Sequence, residues 1–450
     1  MAGNARCRGA ASPRGISPGI ARIVAVLLLG TALIDCRRAP QQPVTLRYIY
    51  SWNEDRPKTR AVFDRFTRET GIRVESIPIS AYTGDYRDLA RKLMRDGSGV
   101  DLLNMDLIWS PILEPDLIDL QPYLADEIAL IEPQLLPSYT VNGKLVAVPF
   151  NVPLGSLEYR TDLLLEYGYD HPPQTWSELE TMAERIQAGE RSKGKKDFWG
   201  YVWQGAAGEA LTCNALEWQV SARGGQIIEP DRIISVNNPA AIRAWERARH
   251  WIGRISPPGV VAYREIDSMR LFDSGRAAFN RVWLLTPITK AGQARHISWR
   301  SSLPVVPTGF SRIPAGPGGS AGTLGGTGTA ISLHSNHRLE AIAFVRFQLR
   351  ALMQEGENGG GSGTMQAQFS SPPSISDAGP SSPSKAHIVS RPSVAAGSTY
   401  KEVARAYIDA VHSVLTGEKP AADAGAELER QLIEITGFRT ASPKMAERTP

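Results

Sequence analysis

The chain has 450 residues, 42% of them hydrophobic and 21% charged, with a formal net charge of +4. That length supports two or three domains of ordinary size, and the composition is that of an ordinary globular protein, not of a disordered chain. Arg6, Arg8, Arg14, Arg22 and Asp35 supply most of the excess positive charge, and the near-neutral remainder gives no electrostatic reason to expect nucleic acid as a partner.

Ile23 to Ile34 reads IVAVLLLGTALI after an Arg-bearing leader. An apolar run of about 12 residues fits the core of a signal peptide and is too short to span a bilayer. Residues 1–35 are therefore expected to be a signal peptide, and 36–43 a flexible linker. Leu33-Ile34-Asp35-Cys36 looks like a bacterial lipobox, whose Cys carries lipid after cleavage, with Asp35 in place of the usual small residue. Lipidation at Cys36 and plain secretion both remain open. Cys7 lies in the leader and Cys213 is left as a small buried hydrophobe, so no internal disulfide is expected. No Cys/His spacing resembles a zinc site, and neither a metal nor a cofactor is expected.

From Val44 onward, short apolar runs alternate with amphipathic segments. VTLRYIY (44–50) alternates like a strand, followed by a helix carrying Val62, Phe63 and Phe66. Gly71 to Val74 leads into a second strand, 89–94 reads as helix, and 100–105 as a buried strand ending at Asp106. Such alternation argues for a mostly parallel sheet, where ligands sit beyond the carboxyl ends of strands, as Asp106 does. Thr175-Trp176-Ser177-Glu178 forms a capping box before a helix with Leu179, Met182 and Ile186 on one face. Asn238-Pro239 opens another helix, whose Ile242, Trp245 and Trp251 are core candidates. A helix from Asn336 should bury Leu339, Ile342, Ala343 and Phe347. One capped at Thr399 should bury Val403, Tyr407, Val411 and Val414, and a last helix runs through Leu428, Leu432 and Ile435. Residues 355–383, rich in Gly, Ser and Pro, cannot supply a core and read as a flexible loop.

Three stretches combine aromatics with carboxylates and amides: DLLNMDLIW (101–109), FWGYVWQGAAGEALTC (198–213) and LFDSGRAAFNRVW (271–283). The second of these contains neither a nucleophile suited to catalysis nor a charge pair. Ring faces pack against the C–H faces of pyranoses and fixed polar groups take their hydroxyls, so the pattern points to a carbohydrate surface. No HExxH, GxSxG or P-loop spacing is present, which argues against an enzyme.

These stretches, with PPQTWSELETMAERIQAGE (172–190), LGGTGTAIS (324–332) and RPSVAAGSTYKEVARAYIDAVHSVLTG (391–417), resemble the extracellular solute-binding proteins of bacterial sugar transporters, especially the trehalose/maltose-binding group. The resemblance implies an α/β, periplasmic-binding-protein-like fold, with two α/β lobes joined by a hinge and a ligand cleft between them. It implies lobe 1 at 44–150 with a return segment at 290–335, and lobe 2 at 151–289 with the C-terminal helices of 336–440. It further implies a monomer, exported to the periplasm or cell surface, that delivers a di- or oligosaccharide to ABC permease subunits. By the same resemblance Glu54, Asp106 and Asn151 bind sugar hydroxyls, Trp283 stacks on the ring, Gly326 brings backbone close to the ligand, and Arg391 faces the cleft. Pro153, Thr327 and Leu285 stand where relatives carry an Asp, a Trp and an aromatic. Those changes imply an altered or weakened pocket, and with it the alternative of a sugar-sensing or scaffold lipoprotein.

Overall fold

The computed structural model describes residues 43–50, 57–78, 84–285, 306–357 and 386–441. The expected signal peptide, Cys36 and Glu54 lie outside the described residues, as do 358–383 of the expected flexible loop. In chain order the main elements begin with β1 (Thr45–Tyr50), α1 (Pro57–Thr70), β2 (Arg73–Pro78), α2 (Gly84–Arg95) and β3 (Leu102–Asp106). Then follow β4 (Val148–Asn151), β5 (Pro153–Arg160), α3 (Trp176–Ser192), β6 (Trp199–Val202), α4 (Glu209–Ser221) and α5 (Pro239–Trp251). Next come α6 (Glu265–Asp273), β7 (Ala277–Leu285), β8 (Thr308–Arg312), β9 (Ser320–Thr323) and β10 (Thr327–Ile331). The last are α7 (Arg338–Glu357), β11 (Ala386–Val389), α8 (Tyr400–Thr416) and α9 (Ala421–Thr436).

Two sheets form the two lobes. The first has the order β2-β1-β3-β10-β4, the second β8-β5-β7-β6. Only part of this matches the parallel sheet expected from the alternation of elements. β2, β1 and β3 are parallel, whereas β10 runs antiparallel to both β3 and β4, and β5 is antiparallel to both its neighbours. The reason is chain return: β10 comes back into the first sheet from the second lobe and fills the place beside β3. Nor does lobe membership follow the expected division. β8 pairs with β5 in the second sheet, although it lies within the segment assigned to the first lobe. Helix α7 packs on the first lobe, although it follows residue 336, because Phe344 closes an aromatic cluster there with Tyr48, Phe63 and Phe66 at centroid distances of 5.1–5.8 Å. Edge-on pairs of this kind add about 0.5–1.5 kcal/mol each beyond the area they bury.

The face that α7 buries overlaps the expected one at Ile342 and Phe347, which packs on Phe66 at 5.2 Å, but not at Leu339. Ala341, Ile342, Phe344, Val345 and Leu349 are buried, while Leu339 is 76% exposed. The helix extends to Glu357, so the Gly/Ser/Pro-rich segment begins later than its composition implied. Thr175 caps α3 as its sequence requires, accepting from Glu178 N at 3.2 Å, and Asn238 caps α5 through Ala240 N and Ala241 N. Thr399 does not cap α8; its hydroxyl donates back to Ala396 O instead.

The indole-rich stretch from 198 is core, a correction to the carbohydrate surface expected of it. Trp203 is fully buried, and Trp176, Trp218 and Trp251 are 1–3% exposed. Trp176 stacks on Trp251 at 5.3 Å, and Trp218 stands edge-on to Trp203 and Trp251 at 5.0 and 5.6 Å. Three of these indoles reach polar partners: Ser221 Oγ, Ser256 Oγ and Glu180 Oε1 accept from Trp176, Trp203 and Trp251. Burying a large ring costs less where its N–H is satisfied, as in these three, and composition does not reveal that partner.

The chain passes between the two sheets at Val152, between β9 and β10, and beyond β11. These crossings are laced together. Leu324 N donates to Val389 O, Gly325 N to Pro153 O (both 2.8 Å), and Leu107 N to Gly326 O at 3.1 Å. Gly326 has φ +108°, and a Cβ there would lie 2.7 Å from Pro153 Cδ and closer still to Asn151 O. Only glycine fits this point of the hinge.

Candidate functional site

β3 delivers Asp106 to the carboxyl edge of the first sheet. Its Oδ1 accepts from Ile108 N at 3.2 Å, which turns the chain into a short 3₁₀ segment and fixes the carboxylate. In the same sheet Thr327 is in register with both Asp106 and Asn151, so these three residues stand side by side on β3, β10 and β4. Asn151 Oδ1 is buried and has no hydrogen-bond partner among the described residues. Thr327 does not face outward in the manner of an aromatic ligand contact. Its hydroxyl accepts from Asn104 Nδ2 at 3.1 Å, beside a buried chain of Tyr48, Thr329 and Gln348.

Arg391 arrives from the third crossing and is 5% exposed. Its Nη2 lies 3.3 Å from Asp106 Oδ1 and its Nη1 lies 3.1 Å from Glu209 Oε1. Glu209 opens α4 in the second lobe, and Tyr400 at the start of α8 donates its hydroxyl to the same Oε1. One guanidinium thus joins carboxylates from both lobes. Partial burial raises the pKa of Asp106 above the usual aspartate range, with the Arg391 charge acting against it. Burial disfavours the Arg391 charge too, but the surrounding anionic and ionisable groups outweigh it and hold the guanidinium well above its ordinary value.

Trp283 stands on β7 of the second sheet, paired with Gly155 on β5. Arg281, two residues earlier on the same face, places its guanidinium carbon 3.8 Å from the centre of the Trp283 ring. Arg281 is held from below by Glu217 on α4, through Nη2–Oε1 at 2.5 Å and Nε–Oε2 at 3.1 Å, with both side chains fully buried. Glu217 Oε1 also accepts from Thr323 N on β9 at 3.1 Å. The platform under the indole is therefore tied to a crossing strand.

The structure brings together Asp106, Arg391 and, along the sheet edge, Asn151, and it sets Trp283 on the other lobe. Gly326 is explained by the packing of the crossing strands against it. Of the substituted positions, Pro153 begins β5 and pairs with Leu285 across the sheet. Glu209, Tyr400, Arg281 and Glu217 were not legible as site residues. Glu209 sits inside a stretch that showed no charge pair, because its partner is 182 residues away. Among the described residues no group of His, Cys, Asp and Glu could hold a metal ion, and no helix is long and apolar enough to cross a membrane.

Two lobes on separate sheets joined by laced crossings, with a polar sheet edge on one and an indole on the other, are the architecture of a hinged binding protein. The chain belongs to the bacterial extracellular solute-binding protein family, whose profile matches residues 51–355. It is a solute-binding protein and not an enzyme. It is 36% identical over 390 residues to a probable ABC transporter-binding protein of Deinococcus radiodurans, covering 83% of this chain and 89% of that one. Among solved structures it is similar to maltose-bound MalE3 of T. maritima, at 28% identity and a TM-score of 0.69, covering 87% of this chain and 100% of the other. The fold also matches a cyclic α-maltosyl-1,6-maltose-binding protein of Arthrobacter globiformis, at 20% identity and a TM-score of 0.64, over 88% and 99% of the two chains.

Proposed function

We propose that this protein captures a di- or oligosaccharide of the maltose or trehalose kind and hands it to the membrane subunits of an ABC importer. The observation that carries this reading is the pairing of a fixed carboxylate edge, Asp106 with Arg391, on one side of the hinge with a supported indole, Trp283, on the other. Carboxylates accept strongly from sugar hydroxyls, and the ring takes the C–H face. The likeness to a maltose-bound protein at 28% identity supports the same substrate class. Two lobes divided along the two sheets, the monomeric state, export, anchoring through a lipid on Cys36 and a contact from Glu54 are parts of the same proposal.

A second reading, a sugar-sensing or scaffold lipoprotein with a reduced pocket, is favoured by Thr327, whose side chain is committed to a hydrogen bond within the sheet. A thermal-shift screen of neutral mono-, di- and oligosaccharides decides between them. A ligand held only by the closed form stabilises by about 2.7 kcal/mol at a hundredfold excess over Kd. Trp283→Ala is expected to raise Kd at least tenfold in calorimetry with the protein still folded. A screen with no shift refutes transport of a sugar, and unchanged affinity in Trp283→Ala removes the indole from the site.

A further inference from the structure

We propose that Glu209 is a further contact of the solute site, and that Asp106, Arg391 and Glu209 together make the cleft a charge filter that accepts neutral and amino sugars and rejects sugar acids and sugar phosphates. This rests on the carbohydrate reading above and deepens it. A buried arginine beside a sugar site would ordinarily invite an acidic ligand. Here the charge is already shared between two carboxylates and shut away from the cleft. Nη1 donates to Glu209 and Nη2 to Asp106, and because the Arg391 side chain is only 4% exposed its other N–H donors give a bulky anion little access. Its Nε is buried and without a partner among the described residues.

The two carboxylates are the accessible part of the group. Their side chains are 31% and 32% exposed, seven to eight times the fraction of the arginine between them. Each spends one oxygen on the protein. Asp106 Oδ1 takes Ile108 N and Arg391, and Glu209 Oε1 takes Arg391 and Tyr400. Among the described residues, Asp106 Oδ2 and Glu209 Oε2 take no hydrogen bond, which leaves one acceptor from each lobe. Two carboxylates against one guanidinium leave the group with a net negative charge. Acceptor-only groups of that sign welcome hydroxyl and ammonium donors and repel a uronate or phosphate, whose desolvation nothing here repays. Tyr139 deepens the same environment. It is fully buried, its hydroxyl has no partner among the described residues, and it lies within the influence of both Asp106 and Arg391.

The test is calorimetry on the full chain with glucose, maltose and trehalose, with glucosamine, and with glucuronate and glucose 1-phosphate. The measurements are repeated on Glu209→Gln, which keeps an oxygen for Arg391 and Tyr400. The wild type should bind its preferred neutral sugar at least tenfold tighter than either acidic probe. Glu209→Gln should lose about tenfold for the neutral sugar while its discrimination against acids narrows severalfold. Equal binding of acidic and neutral sugars by the wild type overturns the filter. Unchanged neutral affinity in Glu209→Gln overturns the contact, with the carbohydrate reading left standing. Binding of none of the probes removes the carbohydrate reading, and the filter with it.

Discussion

Glu217 and Arg281, the ion pair beneath Trp283, should be more costly to break than to delete. Both side chains are fully buried, and the two contacts between them measure 2.5 and 3.1 Å. In Glu217→Gln the guanidinium keeps its hydrogen-bond partner but loses its counter-charge in a dry interior. In Arg281→Met the carboxylate is the orphan. Breaking a buried pair in this way costs about 3–5 kcal/mol, whereas replacing both members by uncharged groups of similar size is often close to neutral. With an unfolding entropy of ~2.1 cal/mol/K per residue over roughly 350 ordered residues, a loss of about 4 kcal/mol lowers Tm by roughly 5 °C. Glu217→Gln with Arg281→Met retains an acceptor for Thr323 N, so the double variant should return to within about 1 kcal/mol of the wild type. Urea unfolding read by tryptophan fluorescence reports on this lobe directly, because Trp203, Trp218 and Trp251 are packed in its core. Two single losses that simply add in the double variant would refute the pair as the source of the cost.

Two other outcomes follow from the geometry. Gly326→Ala forces a side chain into the space held by Asn151 O and Pro153 at a positive φ, where left-handed backbone alone costs about 1–2 kcal/mol; it should lower Tm and weaken ligand-induced stabilisation together, whereas a wild-type melting curve would show that the crossings tolerate the methyl group. Burial opposes the charge of Glu190, but hydrogen bonds from Lys193, Lys195 and Tyr167 prevail and hold its pKa down at about 2. Because the folded value lies below the unfolded one, this stabilisation is present above the ordinary glutamate value of 4.5 and is lost as pH falls toward about 2. Glu190→Gln should therefore destabilise the protein near neutral pH by about 2 kcal/mol and reduce the acid sensitivity of Tm in that window, and an unchanged pH profile would remove Glu190 as its source.

Local chemistry made much of the scaffold legible. The alternation in 44–50, the Thr175 box and the Asn238 cap each use neighbouring residues, so β1, α3 and α5 could be read from short windows. The strand ending at Asp106 was legible for the same reason, since an apolar run stops at a carboxylate. Long-range pairing was not. That β10 runs antiparallel between β3 and β4 follows from where the returning chain finds an open sheet edge, which no window of sequence contains. The aromatic stretch after 198 looked suited to a ligand because composition counts rings without showing what they face, and the fold turned those rings inward around Trp251. Glu209 met Arg391 only because the third crossing passes the start of α4. The sequence by itself determined which segments would be helix or strand and which family of folds they build. Tertiary structure decided which charges meet, because residues as far apart as 106, 209 and 391 become neighbours only once the two lobes share a hinge.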